Sequence, residues 1–224
     1  MYKYIISFII GTCMGSFLLC LSEDKKNIRS KRDYCHTTLK YYDLIPILSY
    51  LFLKGRCRYC DRKISIRYPL SELILGIIYL LIIYKYNFSN KGLILICIAT
   101  DMFYLSLVDI NRFEIPKISL WILLFLRIIN YENIFNCLIG SLILCIPIIF
   151  IKYIGLLRGI EVIGDGDIKL IFILGLYLSY IQNCIALMDS SIMALYYILL
   201  SKRRMIPFGP FICISYFLLI INSI

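Results

Sequence analysis

Apolar residues in this chain come in long blocks separated by short polar breaks. The blocks are Tyr4–Leu21, Tyr68–Tyr84, Leu93–Val108, Ile118–Ile129, Ile134–Ile154, Ile168–Leu200 and Ile206–Ile221. Unbroken apolar stretches of this length read as membrane-crossing helices, and no alternation of strand type or internal repeat competes with that reading. The Ile168–Leu200 block is long enough for two crossings and is expected to split near Gln182 and Asn183, its most polar interior pair. At about 20 residues per span, the pattern predicts an all-α, polytopic membrane protein of about eight transmembrane helices.

Composition agrees with the pattern. Hydrophobic residues make up 61% of 224, and mean hydropathy is +0.83, more than a soluble core requires. The net charge of +10 is concentrated in one segment, from Glu23 to Arg67, which carries Lys25, Lys26, Arg29, Lys31, Arg32, Lys40, Lys54, Arg56, Arg58, Arg62, Lys63 and Arg67. A basic loop beside a membrane helix stays in the cytoplasm. The charge is thus assigned to membrane orientation, and no nucleic-acid partner is expected. The first block has only Lys3 ahead of it and the basic loop behind it, so it reads as a retained helix rather than a cleaved signal. Counting crossings from the basic loop puts both termini outside. It also brings Asp109, the turn Gly164-Asp165-Gly166-Asp167 and the Lys202-Arg203-Arg204 cluster to the cytoplasmic edge.

Those acids carry the candidate chemistry. A carboxylate next to hydrocarbon is costly and is by default a functional site. Asp167 is expected in the first turn of a helix, where capping and the macrodipole also favour an acid. Gly164 and Gly166 would let the backbone bend and approach a neighbour closely. Asp109 closes the third block on the same face. Two carboxylates that meet share one proton, the ionised member acting as base on a water and the protonated member as acid. Such a pair titrates as a unit and needs neither metal nor covalent intermediate. Asp101 lies eight residues ahead of Asp109, about 12 Å along a helix, too far to join the same pair unless the helix breaks; its alternatives are a hydrogen bond to a neighbouring helix, which is expected, and a direct catalytic part. Glu72 begins the second helix and either orders the site or answers a helix dipole. Lys169 either acts on a nearby carboxylate or snorkels to the interface. Asp165 is assigned no chemistry, and Asp189 is expected in solvent.

Cysteines supply a second signal. Cys57-Arg58-Tyr59-Cys60 is a CxxC knuckle in the basic loop, preceded by Cys35-His36-Thr37-Thr38. Two CxxC pairs would be a tetrahedral zinc signature, but Thr38 stands where the second thiol of the first pair belongs. The alternatives are a zinc site of Cys35, His36, Cys57 and Cys60, unmetallated cytosolic thiols, or a disulfide, which the reducing compartment disfavours.

The order and spacing of several blocks resemble the type IV prepilin peptidases. They are Gly11 with Gly15-Ser16-Phe17, Asp43-Leu44-Ile45-Pro46, Gly55-Arg56-Cys57-Arg58-Tyr59-Cys60, Arg67-Tyr68-Pro69-Leu70-Ser71-Glu72, Asp109 with Pro116, and the GxGD turn running into Ile168-Lys169-Leu170. The resemblance implies an eight-helix aspartic endopeptidase of the cytoplasmic membrane with its active site facing the cytoplasm. Its substrates would be prepilins or pseudopilins, cut after the glycine that precedes the mature N-terminus, and Asp109 and Asp167 match the two catalytic aspartates. It also implies, for many members, N-methylation of the new N-terminus with S-adenosylmethionine. There the chain departs: Leu18-Leu19-Cys20-Leu21-Ser22-Glu23-Asp24 stands where an asparagine and then an arginine are usual. The expectation is cleavage that needs no cofactor, with weak or absent methylation and little zinc.

The organisation expected is an N-terminal part over 1–92, holding the first helix, the loop 23–67 and the second helix, followed by a peptidase core over 93–224. A presenilin-type GxGD protease would leave the Cys57 and Cys60 knuckle and the Arg67-Tyr68-Pro69 block unexplained. A transporter or channel would place its acids near the midplane of repeated halves. Neither oligomeric state nor the particular pilin is legible in the chain.

Overall fold

The computed structural model describes residues 2–23, 46–57, 60, 63–129, 134–159, 163–201 and 205–223. Helices dominate: α1 (Tyr2–Ser22), α2 (Leu48–Phe52), α3 (Arg67–Tyr86), α4 (Asn90–Arg112), α5 (Lys117–Ile129), α6 (Ile134–Leu157), α7 (Asp165–Gly175), α8 (Tyr180–Ser201) and α9 (Gly209–Ser223). Among the described residues the sole strand-like pairing is the isolated antiparallel bridge between Arg56 and Lys63. The chain is an all-α polytopic membrane protein. Helices α1, α3, α4, α6 and α8 are each long and apolar enough to cross a bilayer, while α9 is apolar but shorter. Packing divides the chain into two units, 1–96 and 97–224.

In the first unit α1 and α3 run antiparallel, with Lys3 hydrogen-bonded to Asn87 at one end and Tyr68 donating to Glu23 at 2.9 Å at the other. Hydrocarbon does not drive helices together, so association depends on backbones coming close. Small residues permit that here. A Cβ on Gly11 would stand 2.8 Å from Gly76 Cα, and one on Gly15 would stand 2.6 Å from the Ser71 carbonyl oxygen.

The polar segment between α1 and α3 is tied to Glu72. Ile47 takes φ 59, an unfavourable angle for a β-branched residue, and its amide donates to Glu72 Oε2 at 2.6 Å. Further on, Gly55 at φ +69 turns the chain so that its carbonyl accepts from the Ile64 amide at 2.7 Å. This pairing brackets the CxxC knuckle.

In the second unit the break between α7 and α8 falls at Leu176–Ser179, and Gln182 and Asn183 lie inside α8 rather than at the turn. Polarity misplaced the break because these two side chains serve the turn from within the following helix. Gln182 Oε1 accepts from the Ser179 amide at 3.1 Å, and Asn183 Nδ2 donates to the carbonyls of Gly175 at 2.9 Å and Leu178 at 3.3 Å. An 11-residue α7 is roughly 16 Å long, about half of a hydrocarbon core of roughly 30 Å. Backbone left unwound at such depth must find protein partners. Arg127 of α5 provides another, its Nε donating to the Leu176 carbonyl at 2.6 Å, while the Tyr177 hydroxyl bonds back to the Leu123 carbonyl.

Candidate active site

Helix α4 buries Ile98, Met102, Leu105 and Asp109, spaced three or four apart and so on one face. Asp109 is therefore aimed inward by the same periodicity that packs the helix. Just beyond it the chain turns sharply: Phe113 closes α4 at φ 55, its amide bonding to the Asp109 carbonyl at 2.9 Å. That left-handed residue ends the helix in the way a glycine usually does.

Asp167 is the third residue of α7. Gly164 caps the helix at φ −66 and ψ 146, an extended conformation open to any residue, so the turn does not use glycine to bend. Close approach is what the glycines serve. A Cβ on Gly166 would stand 3.0 Å from Ile115 Cβ, and one on Gly164 would stand 3.2 Å from Asp167 Oδ2. Ile115 lies just beyond Phe113, so the end of α4 and the start of α7 are joined through Gly166.

The two acids meet within the second unit. The charge of Asp167 reaches Asp109, and Cys213 of α9, buried beside Ser106, is set among Asp101, Asp109 and Asp167. Asp109 is 5% exposed and accepts the Gly209 amide on Oδ2 at 2.8 Å. Asp167 is half-buried. Two carboxylates this close in a partly desolvated site hold one proton between them more readily than none.

The remaining acids are placed differently. Asp101 faces Ser119 of α5, but Asp101 Oδ2 and Ser119 Oγ are buried without a hydrogen-bond partner among the described residues. Helix α4 is unbroken from Asn90 to Arg112, which keeps Asp101 about two turns from Asp109. Asp165 is exposed and paired with Lys152 of α6. Hydrogen bonding to Lys152, reinforced by its charge and that of Lys169, holds the Asp165 carboxyl below the usual carboxylate range. Lys169 is exposed.

Glu72 belongs to the first unit, with the Ile47 amide and Ser16 as partners. Of the residues proposed for zinc, Cys57 is buried and Cys60 half-buried, while Cys35 and His36 lie outside the described residues. Among the described residues no three His, Cys, Asp or Glu side chains are grouped to hold a metal. Sequence reasoning missed Gly209, Cys213 and Lys152. The Pro207-Phe208-Gly209-Pro210 tetrapeptide was the available signal for the first of these.

Residues 9–86 match the Bacterial Peptidase A24 N-terminal domain, and residues 93–199 match the Type IV leader peptidase family. The chain is 30% identical over 200 residues to the prepilin leader peptidase/N-methyltransferase of Legionella pneumophila, covering 84% of this chain and 70% of that protein. It is 30% identical over 196 residues to a type 4 prepilin-like proteins leader peptide-processing enzyme of Escherichia coli O78:H11, covering 84% and 72%. It is likewise 30% identical over 227 residues to the prepilin leader peptidase/N-methyltransferase of Bacillus subtilis, covering 92% and 88%. No solved structure matches the chain.

Proposed function

Because the chain belongs to the type IV leader peptidase family, we propose that it removes the basic leader from type IV prepilins or pseudopilins at the cytoplasmic face of the cytoplasmic membrane, with Asp109 and Asp167 as its catalytic pair. The observation that carries this reading is the approach of those two carboxylates from α4 and α7, close enough for the charge of Asp167 to act on Asp109. Burial among apolar side chains makes double ionisation costly, so the pair holds one proton. The ionised member draws a proton from water as the water oxygen attacks the scissile carbonyl. The protonated member supplies a proton to the carbonyl oxygen as negative charge develops there.

Glu72, Gly164, Gly166 and Lys169 are proposed as supporting residues. Gly166 keeps α7 against Ile115, and Glu72 holds the Ile47 turn. Orientation follows from the basic loop. A thiol label placed at Lys40 should react from the cytoplasmic side and one placed after Asn87 from outside; reversed labelling would overturn the topology.

Methyl transfer from S-adenosylmethionine to the new N-terminus is a second activity with support of its own. The Legionella pneumophila and Bacillus subtilis relatives, each a prepilin leader peptidase/N-methyltransferase, favour it. Leu19 weighs against it, being buried and apolar where the resemblance leads one to expect an amide.

The pair is tested by cleavage of a synthetic prepilin in detergent. Asp109→Asn and Asp167→Asn should each lose activity by roughly a hundredfold or more, the scale of a lost general acid or base, while remaining inserted. Asp101→Asn should retain activity. An active Asp109→Asn beside an inactive Asp101→Asn would move the base two turns up α4.

A further inference from the structure

The first turn of α9 has one backbone N–H to spare. Pro210 has none, and the amides of Phe211 and Ile212 both return to the Phe208 carbonyl, at 3.1 and 3.2 Å. What remains is Gly209, and its N–H is directed at Asp109 Oδ2, 2.8 Å away in a buried site. The residue type fits that single purpose. A Cβ at position 209 would stand 2.8 Å from Asp109 Oδ2 and 3.2 Å from its Cγ, so any side chain would push the carboxylate off the amide it accepts. Cys213, one turn further along the same face of α9, closes the site behind it.

Asp167 has no such partner: among the described residues no hydrogen bond reaches its side chain. It does stand in the first turn of its own helix, whose dipole favours an anion. That field is shared with Asp165, which lies at the same helix end, is anionic and is paired with Lys152; the Lys152 charge also reaches Asp167, through space and without a hydrogen bond. The titratable groups facing the pair are Asp101 and Cys213 on the Asp109 side and Lys152 on the Asp167 side. A direct hydrogen bond from a backbone N–H at a helix N-terminus favours the charged form of the carboxylate that accepts it. The asymmetry in direct hydrogen bonding therefore lies with Asp109, the only member of the pair to accept a backbone N–H among the described residues.

Building on the proposed catalytic pair, we propose that Gly209 is a positioning residue whose amide fixes Asp109 as the base and Asp167 as the acid. As the water oxygen bonds to the scissile carbonyl carbon, a water proton passes to Asp109 and the carbonyl oxygen takes the proton of Asp167. The gem-diol that results collapses by the reverse exchange. Asp109 gives its proton to the leaving nitrogen as the C–N bond breaks, and Asp167 recovers a proton from one gem-diol hydroxyl as the C=O bond re-forms. The products are an acid and an amine, and the pair returns to its starting protonation.

The experiment is the pH dependence of kcat/KM for the full-length protein in detergent, acting on a synthetic prepilin. Gly209→Ala displaces the Asp109 carboxylate, and glycolate incorporated at position 209, which replaces the Phe208–Gly209 amide by an ester, deletes the N–H without adding volume. In both, the acidic limb of the profile should move to higher pH by roughly one pH unit, the scale of one backbone hydrogen bond to a carboxylate, and the basic limb should stay in place. A uniform loss of rate with both limbs unmoved would make Gly209 a packing residue and overturn the inference. Movement of the basic limb alone would mean that the roles are reversed. If Gly209→Ala does not fold, the ester decides. Asp109→Asn and Asp167→Asn are measured alongside. Activity in either refutes the catalytic pair itself, whereas two inactive variants with an unmoved acidic limb refute only the division of roles.

Discussion

Lys152 of α6 pairs with Asp165, the first residue of α7 and two positions ahead of Asp167. The GxGD turn thus contains two acids with different work, one held by a lysine at the surface and one turned toward Asp109. The Asp165 side chain is 81% exposed while that of Lys152 is 12% exposed, and solvent around the carboxylate limits what the pair contributes. Asp165→Asn should therefore keep most of the cleavage activity that Asp167→Asn loses. The sign of the pH effect follows from the depressed Asp165 carboxyl. What the pair contributes is fully present above the ordinary Asp value of about 3.9 and is lost as pH falls through the lower folded-state value. Melting curves of wild type and Asp165→Asn in detergent should differ at neutral pH and converge on the acid side of that window. Equal loss of cleavage in Asp165→Asn and Asp167→Asn would place the catalytic acid wrongly.

The helix pair of the first unit predicts its own sensitivity. A methyl group on Gly15 would meet the backbone of Ser71 and Glu72 at 2.6 to 3.0 Å, and backbone atoms cannot rotate aside as a side-chain tip can. Gly15→Ala should lower stability by about 1–3 kcal/mol, the range for overpacking a tight contact. Thermal unfolding in detergent measures it. A variant melting with the wild type would mean that α1 and α3 pack less closely than their glycines indicate.

Much of the membrane architecture was legible because hydrocarbon imposes a simple rule: apolar blocks of sufficient length become helices, and those blocks recur here as α1 and α3 to α9 within a few residues. The approach of Asp109 and Asp167 was legible for a related reason, since charge at a membrane edge stands out against Ile-rich sequence. What was not legible depends on contacts distant in sequence. Gln182 and Asn183 suggested a turn because they are polar, yet they sit in α8 to serve a turn three or more residues earlier. Gly209 could not be connected to Asp109, because the bond spans a separation of 100 residues and a glycine has no side chain to advertise it. The GxGD glycines suggested bending and close approach; φ at Gly164 is ordinary, so bending does not need it, while Gly166 does serve close approach, against Ile115.

The end of α7 yields a further prediction. Arg127 Nε supports the Leu176 carbonyl, and Asn183 Nδ2 supports those of Gly175 and Leu178. Arg127→Met or Asn183→Leu should each destabilise the fold by about 1–3 kcal/mol, the cost of a buried group left without its partner. Because both side chains hold one turn, the double variant should lose less than the sum of the single losses. Strict additivity in detergent unfolding would show that the two supports act independently.

The last prediction separates cleavage from methylation. The carboxylate pair proposed for cleavage has an amide on Asp109, a packed glycine before Asp167, and a lysine that pairs with Asp165. The departures that the resemblance ties to methyl transfer fall in the N-terminal region, where the Leu19 side chain is apolar and Leu19 is 2% exposed, and where Glu23 is engaged by Tyr68. Asp24 and Thr38, the other departures, lie outside the described residues. We expect purified enzyme given prepilin and S-adenosylmethionine to cleave the leader fully and to methylate the new N-terminus weakly or not at all. Metal analysis of the same preparation should give substoichiometric zinc. Mass spectrometry of the mature pilin from the native host is the decisive measurement. Quantitative methylation of its first residue, in cells with no other methyltransferase able to act there, would mean that a buried leucine at position 19 is compatible with methyl transfer and that the group orienting the methyl donor lies elsewhere in the chain.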